Sequence, residues 1–508
     1  MVRKLWGQGK LTNEASPRFN ASPDETFPSS RHLKWSLIFL LVYFGLRLLF
    51  FALTISTNMP PDENTHLELS RIFSKVFFLP QNSPETYEYG LVTNIPWLYY
   101  WIMGKLLALN VLGISDLLFL RLLNIPFAFA TIYFVRRMFR LMTDDRLSQV
   151  LLIVAMTNTI MFSFLSAFVT YDNLTNLLAA MAVYYLLAFF KTRSGNLLVL
   201  FFLCQMVGSL TKVTFLPLIL VLNILLVLYE FKNIRLLPGA LSGYFKSAGW
   251  RQWGLVLGFF FGLAMNVQLY GGNYYYYRDP SPGMSKVLSP EIAMKNRIEA
   301  RNMIFSQFKE GRVSRDEAFN MASQIKHPGD RADTMYLIDN DIARRYYNIE
   351  LMGPLAYTAL WVWQMSAGIF GIFGHAEMFN SGPAIWPFAA LGVLILVSIL
   401  IRWRPSHADW LPTCLMAIVA FYGLFLLYYV NYPVYLDTGV FGLTAQGRYL
   451  FPVLSAIYAV SSYYLPRLFR SRHWQVGISG AACLIFIISD FPFFLYHVTS
   501  DWFAPLFG

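Results

Sequence analysis

Long apolar runs separated by short polar gaps dominate the pattern of the chain. A helix needs about 20 apolar residues to cross a bilayer, and several runs approach or reach that length. Assigning one helix to each run predicts an all-α polytopic membrane protein with about eleven transmembrane helices. The predicted spans are Trp35–Ile55, Leu117–Met142, Leu147–Phe168, Leu174–Phe190, Leu197–Leu210, Phe215–Tyr229, Trp253–Leu269, Ile385–Ile401, Trp410–Val430, Tyr449–Leu465 and Val476–Phe494.

The positions of four arginines determine how one further apolar segment, Asn94–Asn110, is interpreted. If this segment crossed the membrane, the next helix would carry a cluster of arginines to the outside, against the positive-inside rule. These arginines are Arg136, Arg137, Arg140 and Arg146. Asn94–Asn110 is therefore predicted to lie in the membrane interface, beside an amphipathic interfacial helix that includes Leu69–Phe77. This topology places the N-terminus in the cytoplasm and the C-terminus outside.

Four regions follow from this pattern. Residues 1–34 are polar and basic and are expected to form a cytoplasmic tail rather than a cleaved signal peptide. Residues 35–270 form a transmembrane module, 271–384 an external helical region, and 385–508 a second transmembrane module.

Start and stop signals predict helices within the external region. Ser289–Pro290–Glu291 is a helix start and Gly311 a helix end, while Ser314–Glu317 matches a capping box. The apolar segment Leu351–Phe373 is interpreted as a re-entrant or interfacial helix.

Composition narrows the class of protein. The chain is 56% hydrophobic and only 14% charged, with a net charge of +11. Because many of the Lys and Arg residues lie in short gaps on alternate sides of the apolar runs, the charge indicates membrane topology rather than nucleic-acid binding. The three cysteines lie inside apolar segments and form neither a disulfide framework nor a zinc spacing. The expected location is the plasma (bacterial inner) membrane.

An acidic segment follows directly on the first span. Pro60 and Pro61 prevent the first helix from continuing, and Asp62, Glu63 and His66 come next. Two adjacent carboxylates tend to raise each other's pKa, which favours a general base near working pH. The alternative is that Asp62 only caps the following helix, with a solvated acid beside it and a histidine that has no task.

Other polar residues lie at the outer ends of predicted spans. Tyr171–Asp172 follows the third span, Lys212 separates the fifth and sixth, and Gln446–Gly447–Arg448 precedes the tenth. Asp172 could instead cap a helix, and Lys212 could reach the interface as a snorkelling lysine. Taken together, carboxylates that accept a proton and cations that hold a phosphate predict group transfer from a phosphorylated lipid on the outer face. No Walker motif points to nucleotide chemistry.

The ordered motifs resemble those of GT-C fold membrane glycosyltransferases, the group with protein O-mannosyltransferases and the aminoarabinose transferases of lipid A. The resemblance is to a bacterial branch with a Pro-Asp-Glu motif in the first external loop and a late Gln-Gly-Arg-Tyr motif. It covers about residues 35–230 and the C-terminal third, but not 271–384. The matching segments are Pro61–Asp62–Glu63 with His66, Pro96–Trp97–Leu98–Tyr99–Tyr100, Arg121, Tyr171–Asp172, Leu210–Thr211–Lys212 and Gln446–Gly447–Arg448–Tyr449.

The resemblance implies roles for these residues and a substrate class. Asp62 would be the general base with Glu63 beside it, Lys212 and Arg448 would bind the donor phosphate, and the sugar would be inverted in a direct displacement. The donor would be a polyprenyl-phosphate-linked sugar, and the acceptor a hydroxyl of a glycan, lipid or protein. No cofactor or metal site is predicted, although a divalent cation is left open. The implied substrate-binding residues are His66, Tyr99, Tyr171, Asp172 and Gln446.

Three alternatives remain open at this point, one of which is a non-catalytic assembly partner. A glycan ligase with a diphosphate-linked lipid donor would rely on external arginines and a histidine. A lipid-glycan transporter or flippase would show internal inverted repeats and charged residues at the bilayer midplane, and neither is evident in the sequence.

Overall fold

The computed structural model describes residues 30–111, 113–231, 249–371, 382–404 and 409–504, and this part of the chain consists of helices joined by turns and loops. Most of the predicted N-terminal tail lies outside the described residues. The first half of the chain contains α1 to α9. Their bounds are Ser30–Thr54, Glu63–Ser74, Leu98–Leu107, Asp116–Arg140, Arg146–Thr157, Ile160–Leu165, Tyr171–Thr192, Gly195–Ser209 and Leu216–Glu230.

The second half contains α10 to α19. Their bounds are Trp250–Tyr277, Arg297–Lys309, Arg315–Ser323, Pro328–Tyr347, Pro354–Phe370, Gly382–Arg402, Trp410–Thr438, Phe451–Tyr464, Arg472–Ile488 and Phe491–His497.

Within the described ranges, 8 helices are long and apolar enough to cross a membrane. The all-α polytopic expectation is confirmed, but three of the eleven predicted spans are not among these 8 helices. The fifth forms the 15-residue α8, and the tenth forms a 3-10 turn followed by the 14-residue α17. The third divides into α5 and α6 at Asn158–Thr159, where side chains bond to backbone carbonyls of α5 and compete with the helical ladder.

Two short helices, α2 and α3, fill the loop between the first two long helices. Helix α3 has 10 residues and is too short to cross a bilayer, in agreement with its interpretation as an interfacial helix. Gly104 allows the two helices to pack closely, because a Cβ there would lie 2.7 Å from the carbonyl oxygen of Ser70. Helix α2 ends at Ser74, three residues before the predicted Phe77, and the Phe77 side chain is exposed.

The external region contains α11 to α13, which share a small apolar core that includes Ile304, Phe305 and Ile338. The capping box at Ser314 and the helix end at Gly311 are present. The predicted start at Ser289 yields only a four-residue turn. Helix α11 begins after Asn296 instead, whose side chain accepts hydrogen bonds from two backbone N–H groups.

A buried ion pair joins the first and last long helices. Arg47 of α1 contacts Asp490, and its Nη2 donates to the Thr157 carbonyl at 2.7 Å, where α5 ends. Ser163 completes the cluster by donating to Asp490 Oδ1 at 2.8 Å. Arg47 lies near the middle of the predicted span Trp35–Ile55, against the expectation that no charged residue lies at the bilayer midplane. Both charges are tolerated because each has a partner in the apolar interior.

Candidate functional site

Asp62 occupies an unusual backbone conformation just before α2. Its φ of 59° and ψ of 12° are left-handed, and its side chain makes no capping hydrogen bond. The interpretation of Asp62 as a simple helix cap is therefore wrong. Its carboxylate instead bridges two arginines, with Oδ2 at 2.9 Å from Arg448 Nη2 and Oδ1 at 3.3 Å from Arg297 Nη2. A non-glycine residue in this region is strained by about 1 kcal/mol or more, which commonly marks a functional position.

Arg448 is buried beside Asp62. Its Nε donates to Gln446 Oε1 at 2.8 Å, while its Nη1 is buried and has no hydrogen-bond partner within the described ranges. Although burial opposes the charge, the carboxylates of Asp172 and Asp62 raise the pKa of Arg448 above its usual value. Arg448 is therefore a fixed cation with one unused donor.

A contact between two glycines sets the position of Arg448. A Cβ on Gly447 would lie 2.7 Å from the carbonyl oxygen of Gly368 in α14, and a Cβ on Gly368 would lie 2.6 Å from the Gly447 nitrogen. Neither backbone can yield easily, since each belongs to a helical segment. Only glycine at both positions permits this approach.

We expect Gly447→Ala to displace Arg448 and to destabilise the protein by about 1–3 kcal/mol, because the added methyl group overpacks a backbone contact. Thermal unfolding in detergent measures the loss. Gly477→Ala is the matched control, since a Cβ at Gly477 meets open space. Equal unfolding temperatures for the two variants would contradict the proposed contact.

Asp172 and Lys212 form a buried ion pair next to Arg448. Lys212 Nζ donates to Asp172 Oδ1 and lies 4.4 Å from the centre of the Tyr171 ring and 5.5 Å from that of Tyr449. Thr170 caps α7, so Asp172 is not the cap, and the buried Lys212 is not a snorkelling lysine. Burial lowers the pKa of Lys212 although Asp172 opposes this shift.

His66 lies among tyrosines beneath these charges. Its Nδ1 is 3.0 Å from the Tyr100 hydroxyl, and its ring packs edge-on against Tyr171 at a centroid distance of 4.5 Å. Tyr99 packs against His66 and donates to Asn124 Oδ1 at 3.1 Å. Burial lowers the pKa of His66 to about 4, so its ring is neutral at physiological pH.

The buried, neutral His66 makes stability depend on pH. Between about pH 6.5 and 4 the unfolded chain binds a proton at this histidine and the folded chain does not, so stability falls as pH falls. We expect His66→Gln to remove up to about 3 kcal/mol of this dependence. Unfolding temperatures of both proteins across this range measure the effect. Parallel pH profiles would contradict it.

Glu63 lies next to Asp62 in sequence but faces a different set of partners. Its carboxylate accepts from Arg121 at 2.9 Å and 2.5 Å and from the Val169 N–H at 3.0 Å. Arg121 also donates to the carbonyls of Ala52 and Ile55 at the end of α1. The geometry therefore does not support a catalytic role for Glu63 beside the base, because the carboxylate is enclosed and fully engaged in joining three segments.

Sequence reasoning missed two residues of this site, Arg297 and Asp330, which lie in the external region. Arg297 bridges Asp62 and Asp330, with its Nη1 2.5 Å from Asp330 Oδ2. The sequence offered no signal for them, because Arg297 is the first residue of α11 only in the structure and the predicted helix start lay at Ser289. Within the described part of the chain, no three His, Cys, Asp or Glu side chains lie close enough together to hold a metal ion.

The chain is similar in fold to solved membrane proteins. An oligosaccharyltransferase from Archaeoglobus fulgidus, tethered to an acceptor peptide with the NVT sequon, is similar over 90% of this chain, with 14% identity and a TM-score of 0.46. The match covers 55% of that protein, so this chain spans little more than half of its length.

ArnT from Cupriavidus metallidurans is also similar. Its apo structure matches 86% of this chain and its complex with undecaprenyl phosphate 87%, each over 79% of ArnT, with 15% identity and TM-scores of 0.36 and 0.35. No family model and no curated protein matches the chain. At these identities the similarity concerns the fold alone.

Proposed function

We propose that the protein transfers a sugar from a polyprenyl-phosphate-linked donor to a hydroxyl acceptor on the outer face of the membrane. One observation carries this proposal: the partly exposed carboxylate of Asp62 lies against the buried Arg448, next to the Lys212–Asp172 pair. A proton acceptor beside fixed cations suits a hydroxyl nucleophile and a phosphate leaving group.

In the proposed reaction, the acceptor oxygen attacks the anomeric carbon of the donor sugar. The bond between this carbon and the phosphate oxygen breaks, and the lipid phosphate leaves with the electron pair. Asp62 takes the hydroxyl proton. Because the displacement occurs in a single step without a covalent enzyme intermediate, the configuration at the anomeric carbon is inverted. Glu63 stabilises the backbone before α2 through its bonds to Arg121 and Val169, and it takes no part in the proton transfer.

The donor phosphate would be bound by Arg448 and Lys212. The unused Nη1 of Arg448 can donate to a phosphate oxygen without losing the bonds to Gln446 and Asp62. Lys212 supplies a second positive charge, and Asp172 orients it. His66, Tyr99 and Tyr171 form the wall of the site, and a neutral His66 adds no competing charge. The site and the C-terminus would lie outside the plasma membrane.

One observation favours a second candidate, a glycan ligase with a diphosphate-linked lipid donor. Two arginines, Arg297 and Arg448, converge on Asp62, and a diphosphate carries more negative charge than a monophosphate. Arg297 is already shared between Asp62 and Asp330, which favours the monophosphate.

The test is transfer of radiolabelled sugar by the purified protein in lipid nanodiscs. A panel of polyprenyl-phosphate sugars is compared with the matching polyprenyl-diphosphate sugars, with a membrane extract as acceptor. Transfer only from monophosphate donors supports the proposal, and transfer only from diphosphate donors supports the ligase. Absence of transfer and of donor hydrolysis with every donor contradicts both.

A further inference from the structure

A cleft of about 650 Å³ lies between α11 of the external region and the chain from Val434 to Thr444. Pockets of this size bind ligands of a few hundred daltons or segments of longer ones. Its wall is mixed, with eight polar residues beside the apolar Phe305, Leu337, Val434 and Leu443. The polar lining residues are Arg301, Asn302, Ser306, Lys309, Glu310, Asp437, Thr438 and Thr444.

The charged groups of this cleft are matched within the protein. Arg301 lies 3.7 Å from Asp333, and Lys309 contacts Asp437 across the cleft. Glu310 accepts from Ser306 at 2.9 Å and pairs with Arg312. A ligand with many charges of one sign would therefore find no unmatched partner here, whereas a neutral ligand with many hydroxyl groups would find donors and acceptors on both walls.

The α11 wall of the cleft offers no backbone edge for an extended peptide. This wall is helical, so its N–H and C=O groups bond within the helix. In the opposite wall, Asn431 donates to the Thr444 carbonyl at 2.9 Å. Peptides that bind in extended form usually need free main-chain groups, and α11 provides none.

Both segments that line the cleft also carry an arginine that contacts Asp62. On α11, Arg301 lies one turn after Arg297, whose guanidinium contacts Asp62. On the other wall, Thr444 lies four residues before Arg448, the second arginine that contacts Asp62. The segment of α11 from Arg297, which contacts Asp62, to Lys309 in the cleft is about 18 Å long. An acceptor chain that lies along α11 in the cleft would therefore follow the helix whose first residue contacts the Asp62 carboxylate.

We propose that this cleft binds the acceptor, and that the acceptor is a neutral, hydroxyl-rich glycan chain whose terminal hydroxyl reaches Asp62. This inference rests on the proposed sugar transfer and narrows its acceptor from glycan, lipid or protein to glycan. The external region would then determine the acceptor specificity, while residues of the membrane module bind the donor.

The experiment measures binding and turnover separately. Neutral hexose oligomers of increasing length, oligogalacturonates and a Ser/Thr-rich peptide are titrated against the full chain in nanodiscs, and binding is followed by saturation-transfer NMR. Asn302→Trp and Ser306→Trp fill the cleft from exposed positions, and Asn320→Trp places the same ring on an exposed position of α12 outside it. Hydrolysis of the donor by water is measured in parallel because it needs no acceptor.

We expect the neutral oligomers to bind, both cleft variants to bind at least about tenfold more weakly, and Asn320→Trp to bind as the unaltered chain does. Donor hydrolysis should be unchanged in all three variants. Preferential binding of the peptide or of the acidic oligomers, or equal glycan binding by all variants, would overturn the inference. Absence of both sugar transfer and donor hydrolysis with every donor, with glycan binding intact, would instead overturn the proposed sugar transfer and leave the cleft assignment standing.

Discussion

Replacement of Asp62 by asparagine is expected to lower sugar transfer about 10³-fold while the protein stays folded. The amide cannot take the proton of the acceptor hydroxyl. Asparagine tolerates the left-handed backbone conformation better than most residues, so the corner before α2 should persist. The measurement is initial-rate transfer from the donor identified by the panel, with the unfolding temperature recorded on the same samples.

Asp62→Gly sharpens this test. Glycine adopts a positive φ without strain, so this variant should be at least as stable as the asparagine variant and equally inactive. Full activity in Asp62→Asn would remove this carboxylate from the mechanism and leave Asp172 as the candidate base. Unfolding of both variants would show that Asp62 serves the fold.

Removal of the neighbouring carboxylate, that of Glu63, should destabilise the fold, whereas Asp62→Asn should leave the fold intact. Glu63→Ala is expected to cost about 3–5 kcal/mol of stability, because it leaves the buried guanidinium of Arg121 without its charge partner. The consequence is a large fall in unfolding temperature and in the yield of folded protein, measured in the same detergent as the Asp62 variants.

The double variant Glu63→Leu with Arg121→Leu is the control for this second prediction. Because both charges are removed together, it should be more stable than Glu63→Ala. If Glu63→Ala unfolds at the temperature of the unaltered chain but loses transfer, the carboxylate acts in catalysis instead. Unfolding temperatures and transfer rates of these variants therefore distinguish the roles of Asp62 and Glu63.

Much of the site could be predicted from sequence, because each residue lies at a recognisable end of an apolar run. Asp62, Lys212 and Arg448 were all assigned to the same side of the membrane, and the structure brings the three together through shared neighbours. The arginines at the end of α4 also led to the interfacial interpretation of α3. In each case topology restricted the positions that the side chains could reach.

The rest depended on contacts that sequence spacing does not encode. The Arg297–Asp62 pair joins residues 235 positions apart, and the external region carries no motif that indicates it. Glu63 and Asp62 were treated as a pair because they are adjacent, yet the left-handed backbone at Asp62 gives the two side chains different partners. The break between α5 and α6 arises from local side-chain bonds that a hydropathy pattern does not register.

The ion pair between α1 and the end of α18 has a consequence for biosynthesis. Asp490 follows Arg47 by 443 residues, so at ordinary translation rates the ribosome needs roughly 20 to 90 s to supply it. During that interval a guanidinium in the first membrane helix lacks its carboxylate. The buried cluster of Arg47, Thr157, Ser163 and Asp490 is therefore complete only after the last long helix has been synthesised.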